Sequence, residues 1–237
     1  MSGAMNPVPM TATFSIVGRD PLTGHLGSAV ASYYMAVGAV VPFLRAGVGA
    51  INTQHWSDPD LATRGLVLLA AGVSPDVALR MVLAGDEQSA NRQLLILDAR
   101  GRAAVHTGEL CTPPSKAAVG ENCAAGGNTL GSGGVVDAMI EAFARYVEEP
   151  LGLRLLRALL AGEETGGDYR GKLAAAVRVV CPPDVAWTHA CVDLRVDEHP
   201  EPIQELFRLY RLRPEPGAAA VDDHSPQPIG RQPAWRS

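Results

Sequence analysis

The early stretch TFSIVGRDPLTGHLGSAVAS, residues 13–32, carries Thr13, Ser15 and Ser32 on what reads as two β-rich runs. A hydroxyl is a weak nucleophile at neutral pH and needs a base beside it. A threonine at a chain terminus supplies its own base, an α-amine with a pKa of about 8. The condition is strict: while Ala12 is attached, the nitrogen of Thr13 is an amide and not a base. The plain alternative is a threonine that opens a strand because β-branched residues suit one. Alternate residues of a strand share a face, so Thr13 and Ser15 point the same way, and an antiparallel return brings Ser32 beside Thr13.

Other polar residues could support such chemistry. In GENCAAGGNTLGS (120–132), Asn128 follows two glycines and could donate its amide to a developing oxyanion, or be a turn asparagine in a left-handed conformation. GGDYRGK (166–172) places Asp168, Arg170 and Lys172 in a loop that opens on two glycines. Such a loop can bring N–H groups and a cation to an anion, or be a surface turn with a local ion pair. Glu121 could act as a base or hold a substrate ammonium, against the plainer reading of an exposed carboxylate. INTQHW (51–56) puts Gln54 and His55 at a strand end, where His55 could be a base but lacks an identified orienting carboxylate.

The elements that must position these residues follow from periodicity. The runs at 13–19 and 26–32 are separated by DPLTGH, whose Pro21 and Gly24 suit a turn, which predicts a hairpin. AGVGAINTQ reads as a third strand. Two helices follow, one capped by Asp58 or Asp60 and ended at Gly72, the next begun by Ser74 and Pro75. RQLLILDARGRAAVHTG is a clear second hairpin, and AAVGENCAAGGN reads as one further strand entering a glycine-rich loop. Helical spacing returns over 133–163, strand character at 173–181 and 189–196. Hairpins alternating with helix pairs predict an α+β fold, a four-layer αββα sandwich of two antiparallel sheets with helices on the outer faces. The expected organisation is a flexible leader over 1–12, one domain over 13–196, an amphipathic helix over 197–213 and a proline-rich disordered tail over 214–237.

Composition bounds the functional classes. The 237 residues, 47% of them hydrophobic, suffice for one sizeable core. With a net charge of -5 and Lys116 and Lys172 as the only lysines, there is no basic stripe for nucleic acid. No apolar run is long enough to span a membrane, and no cationic segment leads an apolar core at the start, so a cytoplasmic protein is expected. Cys111, Cys123, Cys181 and Cys191 show no CxxC pair and no nearby histidine ligand set, so buried thiols are expected and a zinc site is not. No metal or organic cofactor is expected. Weakly charged helix faces make a homodimer a reasonable expectation.

The stretches TFSIVGRDPLTGHLGSAVAS, AVGAVVPFLRAGVGAINTQ, RGLVLLAAGVSPDVAL, RQLLILDARGRAAVHTG, VGENCAAGGNTL and GGDYRGKLAAAVRVV together resemble the domain of unknown function 1028 family, in that family's order and over about residues 13–181. The resemblance implies membership among the N-terminal nucleophile hydrolase-like proteins, an αββα fold, and hydrolysis of a small or cyclic amide, with no fixed substrate. It places Thr13 where many family members have threonine directly after the initiator methionine. The present chain departs from that pattern, since a longer leader ending in Ala12 stands in front. His55 and Trp56 match no signature of the family. The resulting expectation is a hydrolase of a small-molecule amide with Thr13 as nucleophile, Asn128 and Asp168 assisting, and Ser15, Ser32, Gln54, His55, Glu121 and Arg170 lining the site. Its rivals are a binding or assembly protein on the same fold, and a hydrolase that uses an internal residue because the Thr13 amine is blocked.

Overall fold

A computed structural model of the chain describes residues 10–182 and 191–213. The proposed tail over 214–237 and most of the leader, residues 1–9, lie outside them. Among the described residues no helix is long and apolar enough to cross a membrane.

The chain enters in a two-residue strand, β1 (Met10–Thr11), whose backbone pairs antiparallel with β5 (Gly49–Trp56), Thr11 opposite His55. It then changes sheets at Ala12, which is buried, and continues as β2 (Thr13–Arg19). The last three residues of the expected flexible leader are therefore built into the fold. The hairpin of β2 with β3 (Leu26–Ser32) forms in the expected register, Thr13 opposite Ser32.

One sheet contains β1, β4 (Pro42–Arg45), β5, β6 (Arg92–Asp98) and β7 (Ala103–Thr107); β1 and β4 both pair with β5, followed by β6 and β7. The other runs β11-β10-β3-β2-β9-β8, using β8 (Lys116–Gly120), β9 (Cys123–Gly127), β10 (Ala174–Val180) and β11 (Val192–Val196). All the strand pairings are antiparallel. The sheets pack face to face, with Val17, Leu26, Ala50, Leu95, Leu97 and Ala124 filling part of the space between them.

Helices α1 (Pro59–Ala70) and α2 (Pro75–Leu83) cover the first sheet, where Ala62, Leu69 and Ala78 meet Ile51 and Ile96. Helices α3 (Val135–Arg145), α4 (Leu151–Glu164) and α5 (Pro202–Leu212) cover the second, around Phe14, Ile16, Met139, Phe143 and Leu155. This is the four-layer αββα sandwich, with three helices rather than a pair on the second sheet.

Two expectations, for the stretch AAVGENCAAGGN and for the cysteines, need correction. AAVGENCAAGGN is two strands, β8 and β9, folded on Glu121 and on Asn122, which takes a left-handed φ of 56°. Asparagine tolerates that region because its short side chain bonds locally. The expected helix over 197–213 is α5, and Ile203, Leu206 and Phe207 pack it into the same core as β10 and α4. Cys111 and Cys123 are buried thiols, but Cys181 and Cys191 are partly exposed and joined as a disulfide, Cα to Cα 5.9 Å.

Candidate active site around the Ala12–Thr13 peptide

Because β2 is the inner strand between β3 and β9, its two faces look into different layers. Phe14 and Ile16 face the helices, whereas Thr13, Ser15 and Val17 face the other sheet. Thr13 is fully buried, 0% exposed.

The register that places Ser32 opposite Thr13 also brings it to the peptide just before Thr13. Ser32 Oγ donates to the Ala12 carbonyl oxygen at 2.5 Å and accepts the Tyr34 N–H at 2.9 Å. Thr13 Oγ1 donates toward Ser32 Oγ across 3.4 Å. A second donor reaches the same carbonyl from far along the chain, Arg170 Nη2 at 3.2 Å. The Ala12 carbonyl is thus polarised by a hydroxyl and a cation, and the hydroxyl of Thr13 lies on the same cluster.

Arg170 is held rigidly for this contact. Its Nε and Nη2 donate to the two carboxylate oxygens of Asp168 at 3.0 and 2.7 Å, and its backbone N–H donates to Asp168 Oδ1 at 3.0 Å. The Asp168 side chain is fully buried, and the guanidinium also sits 5.5 Å from the centre of the Tyr33 ring. The hydrogen bonds it donates to Asp168 raise the Arg170 pKa above its usual value, against the opposing effect of burial, so the group stays cationic. Gly171 closes this loop with a φ of 103°, a region that favours glycine. The loop is exposed at Tyr169, Arg170 and Gly171 and carries the local ion pair of its plain alternative, but its Asp168 is buried and the Arg170 guanidinium reaches inward to the Ala12 carbonyl.

Behind Thr13, amide side chains tie the two sheets together. Ser15 Oγ donates to Gln54 Oε1 at 2.6 Å, and Gln54 Nε2 donates to Gln93 Oε1 at 2.8 Å. Asn128 Nδ2 donates to the same Gln93 oxygen at 3.0 Å, and Gln93 Nε2 donates to the Gly127 carbonyl at 3.0 Å. The Asn128 carboxamide is therefore turned into this network, while its backbone N–H donates to the Thr13 carbonyl at 3.0 Å. Asn128 fixes the backbone of Thr13. Gly127 permits the close approach, since a Cβ there would lie 3.1 Å from the Thr13 carbonyl oxygen and 2.5 Å from Leu130.

The fold thus brings Thr13, Ser15, Ser32, Gln54, Asn128, Asp168 and Arg170 into one continuous region. It does not bring in Glu121, which is exposed in the β8–β9 turn at the opposite end of β2. His55 is buried to one side, its Nδ1 2.8 Å from the Asn91 carbonyl and its Nε2 accepting the Thr112 N–H at 3.3 Å. With a φ of 63°, His55 locks the end of β5 against two loops. Sequence reasoning missed Tyr33 and Gln93. Gln93 offered a signal, a polar residue near the opening of the apolar run of β6; Tyr33 offered none.

A cavity of about 210 Å³ lies on the helix side of the same sheet, lined by Phe14, Glu163, Gly167, Asp168 and Lys172. Lys172 is paired with Glu163 at 2.7 Å and Glu201 at 2.5 Å. Asp168 therefore borders this cavity while holding Arg170 at the Ala12 carbonyl.

The profile of the family of unknown function DUF1028 matches residues 13–206. A crystal structure of a protein from Silicibacter pomeroyi assigned to the same family is similar at 35% identity over 84% of both chains, with a TM-score of 0.77. The ancestral beta-subunit Anbu from Yersinia bercovieri aligns with 87% of this chain and 100% of its own, at 13% identity and a TM-score of 0.39. No functionally curated protein is significantly similar. The family match begins at Thr13 and takes in every element from β2 into α5, and by it the chain belongs to the DUF1028 family.

Proposed function

We propose that this protein is a threonine-dependent hydrolase of small amides, made as a precursor that opens its own Ala12–Thr13 bond. The observation that carries the reading is the pair of donors, Ser32 Oγ and Arg170 Nη2, on the carbonyl of that one peptide. The hydroxyl of Thr13 adds to the Ala12 carbonyl carbon and passes its proton to Ser32 Oγ, which delivers its own to the carbonyl oxygen. Collapse breaks the C–N bond, the nitrogen takes the proton, and an Ala12 ester of the Thr13 side chain remains. Water hydrolyses that ester, giving an Ala12 carboxylate, a free Thr13 hydroxyl and a free α-amine. Each well-aimed oxyanion donor is worth about 10² to 10³ in rate.

The full burial of Thr13 supports the same order of events, because an external amide has no access to it while residues 10–12 are in place. Once they leave, the Thr13 amine supplies the base, and the donors that held the Ala12 carbonyl face the carbonyl of the substrate. The paired β1 and buried Ala12 also favour a second reading, a binding protein in which the leader stays and the hydroxyl is never used.

The test is hydrolysis of a panel of small linear and cyclic amides by a chain prepared to begin at Thr13, beside a chain that cannot lose Ala12. Turnover by the first, absent from the second and abolished by Thr13→Ala, is expected. Equal rates in both chains, or none in either, would overturn the hydrolase reading.

A further inference from the structure

The far end of the hairpin holds a second group of reactive side chains. Strand β3 opens at Leu26, which pairs with Val180 at the close of β10, so His25 and Cys181 emerge side by side from adjacent strands. Strand β11 begins beside the end of β10, Val192 opposite Val179, and brings Cys191 to the same place. The ligating atoms of His25, Cys181 and Cys191 all lie within 4.8 Å of one another, and all three residues are partly exposed. They are separated from Thr13 by the length of β3, about 20 Å at the usual rise per residue.

Each of the three is anchored by its own local structure. Asp20 closes the turn before His25, accepting the Leu22 N–H at 2.8 Å and the Thr23 hydroxyl at 2.8 Å, while the Asp20 N–H donates to the His25 carbonyl at 3.0 Å. Cys181 follows directly on β10. The Cys191 carbonyl accepts Arg213 Nη2 from the end of α5 at 2.6 Å.

We propose that these residues form a redox-gated site for one zinc-class cation. In the oxidised state Cys181 and Cys191 are bonded to each other and offer no thiolate. A dithiol or phosphine reductant supplies two electrons, the sulfur–sulfur bond breaks, and two thiols form as two protons are taken up. Metal binding releases both thiol protons, and the two thiolates and the neutral His25 ring become the ligands. Zinc–sulfur and zinc–nitrogen bonds of about 2.3 and 2.0 Å place such ligand atoms about 3.4 to 3.8 Å apart, a span this cluster can meet. Three protein ligands leave the fourth tetrahedral position to water. A low-molecular-weight disulfide reverses the process, taking up two electrons as the metal leaves.

The test titrates the full-length chain with cobalt, reduced and unreduced, and follows the near-ultraviolet thiolate-to-cobalt charge-transfer band. The reduced chain is expected to bind one cobalt, to release it to zinc, and to melt at a higher temperature with zinc present. The unreduced chain should show none of this. Cys181→Ser should abolish the band, and His25→Ala should weaken cobalt binding by at least about tenfold, the low end of the cost of losing even a supporting partner. The proposal is overturned if the reduced chain gives neither the band nor a zinc-dependent melting shift. It is equally overturned if a folded His25→Ala chain binds as tightly as the parent, or if the band survives in Cys181→Ser.

Discussion

Ser32 joins three groups through one oxygen, which accepts from Thr13 and Tyr34 and donates to the Ala12 carbonyl. In the proposed self-cleavage Ser32→Ala removes both the relay and one of two oxyanion donors, so release of residues 1–12 should slow by about 10² to 10³. A time course of leader release after cell-free synthesis measures this, and an unchanged rate would remove Ser32 from the chemistry. The meeting of Thr13 and Ser32 was legible in the sequence, because hairpin register follows from two β-rich runs and a turn. The contact of Arg170 with the Ala12 carbonyl was not, because it joins residues 158 apart and depends on the packing of a loop. The same blindness hid His25 from Cys181. Proximity across neighbouring strands that no hairpin joins, such as β3 and β10, leaves no mark in spacing along the chain.

Among elements, those with a strong period were legible and those defined by pairing were not. Helices α1 and α2 announced themselves through Asp58, which caps α1 by accepting the Asp60 N–H at 2.9 Å, and through Pro75 at the start of α2. Strand β4 and the two residues of β1 carry too little pattern to read, and exist because β5 has an edge to satisfy. The α1 cap is tied to the start of β6 by Arg92, which is buried and paired with Asp58 at 3.1 Å and Asp86 at 2.8 Å. Burial pushes the Asp86 pKa up, but hydrogen bonds from the Arg92 side chain and the Gln88 N–H outweigh it and hold it below the ordinary 3.8. A lowered folded pKa means stability that is present above the unfolded value and lost as pH falls through the folded one. Denaturant midpoints of the parent should therefore drop below about pH 4, and Asp86→Asn should flatten that drop while lowering stability at neutral pH. An identical acid dependence in the two chains would show that Asp86 is not a source of it.

For the whole molecule, alternation of hairpins with helix groups was enough to predict the four layers, because each amphipathic face must find a partner. The pattern did not reveal that α5 completes the second outer layer. A short amphipathic helix after the last strand reads equally well as an appendage, and only packing distinguishes the two. Phe207 is 5% exposed within the shared core, so Phe207→Ala should destabilise the whole sandwich by about 3 kcal/mol in one cooperative transition. A loss confined to α5, seen by hydrogen exchange with the sheets unaffected, would make the helix an appendage after all.

As a whole, in the proposed function, the folded sandwich is a precursor that cuts itself once. Intact-mass measurement of the purified chain and of Thr13→Ala, each incubated after folding, tests it most directly. The parent is expected to lose residues 1–12 and begin at Thr13, while Thr13→Ala keeps Ala12 indefinitely. A parent that retains Ala12, or a Thr13→Ala chain that loses it at the same rate, would contradict it.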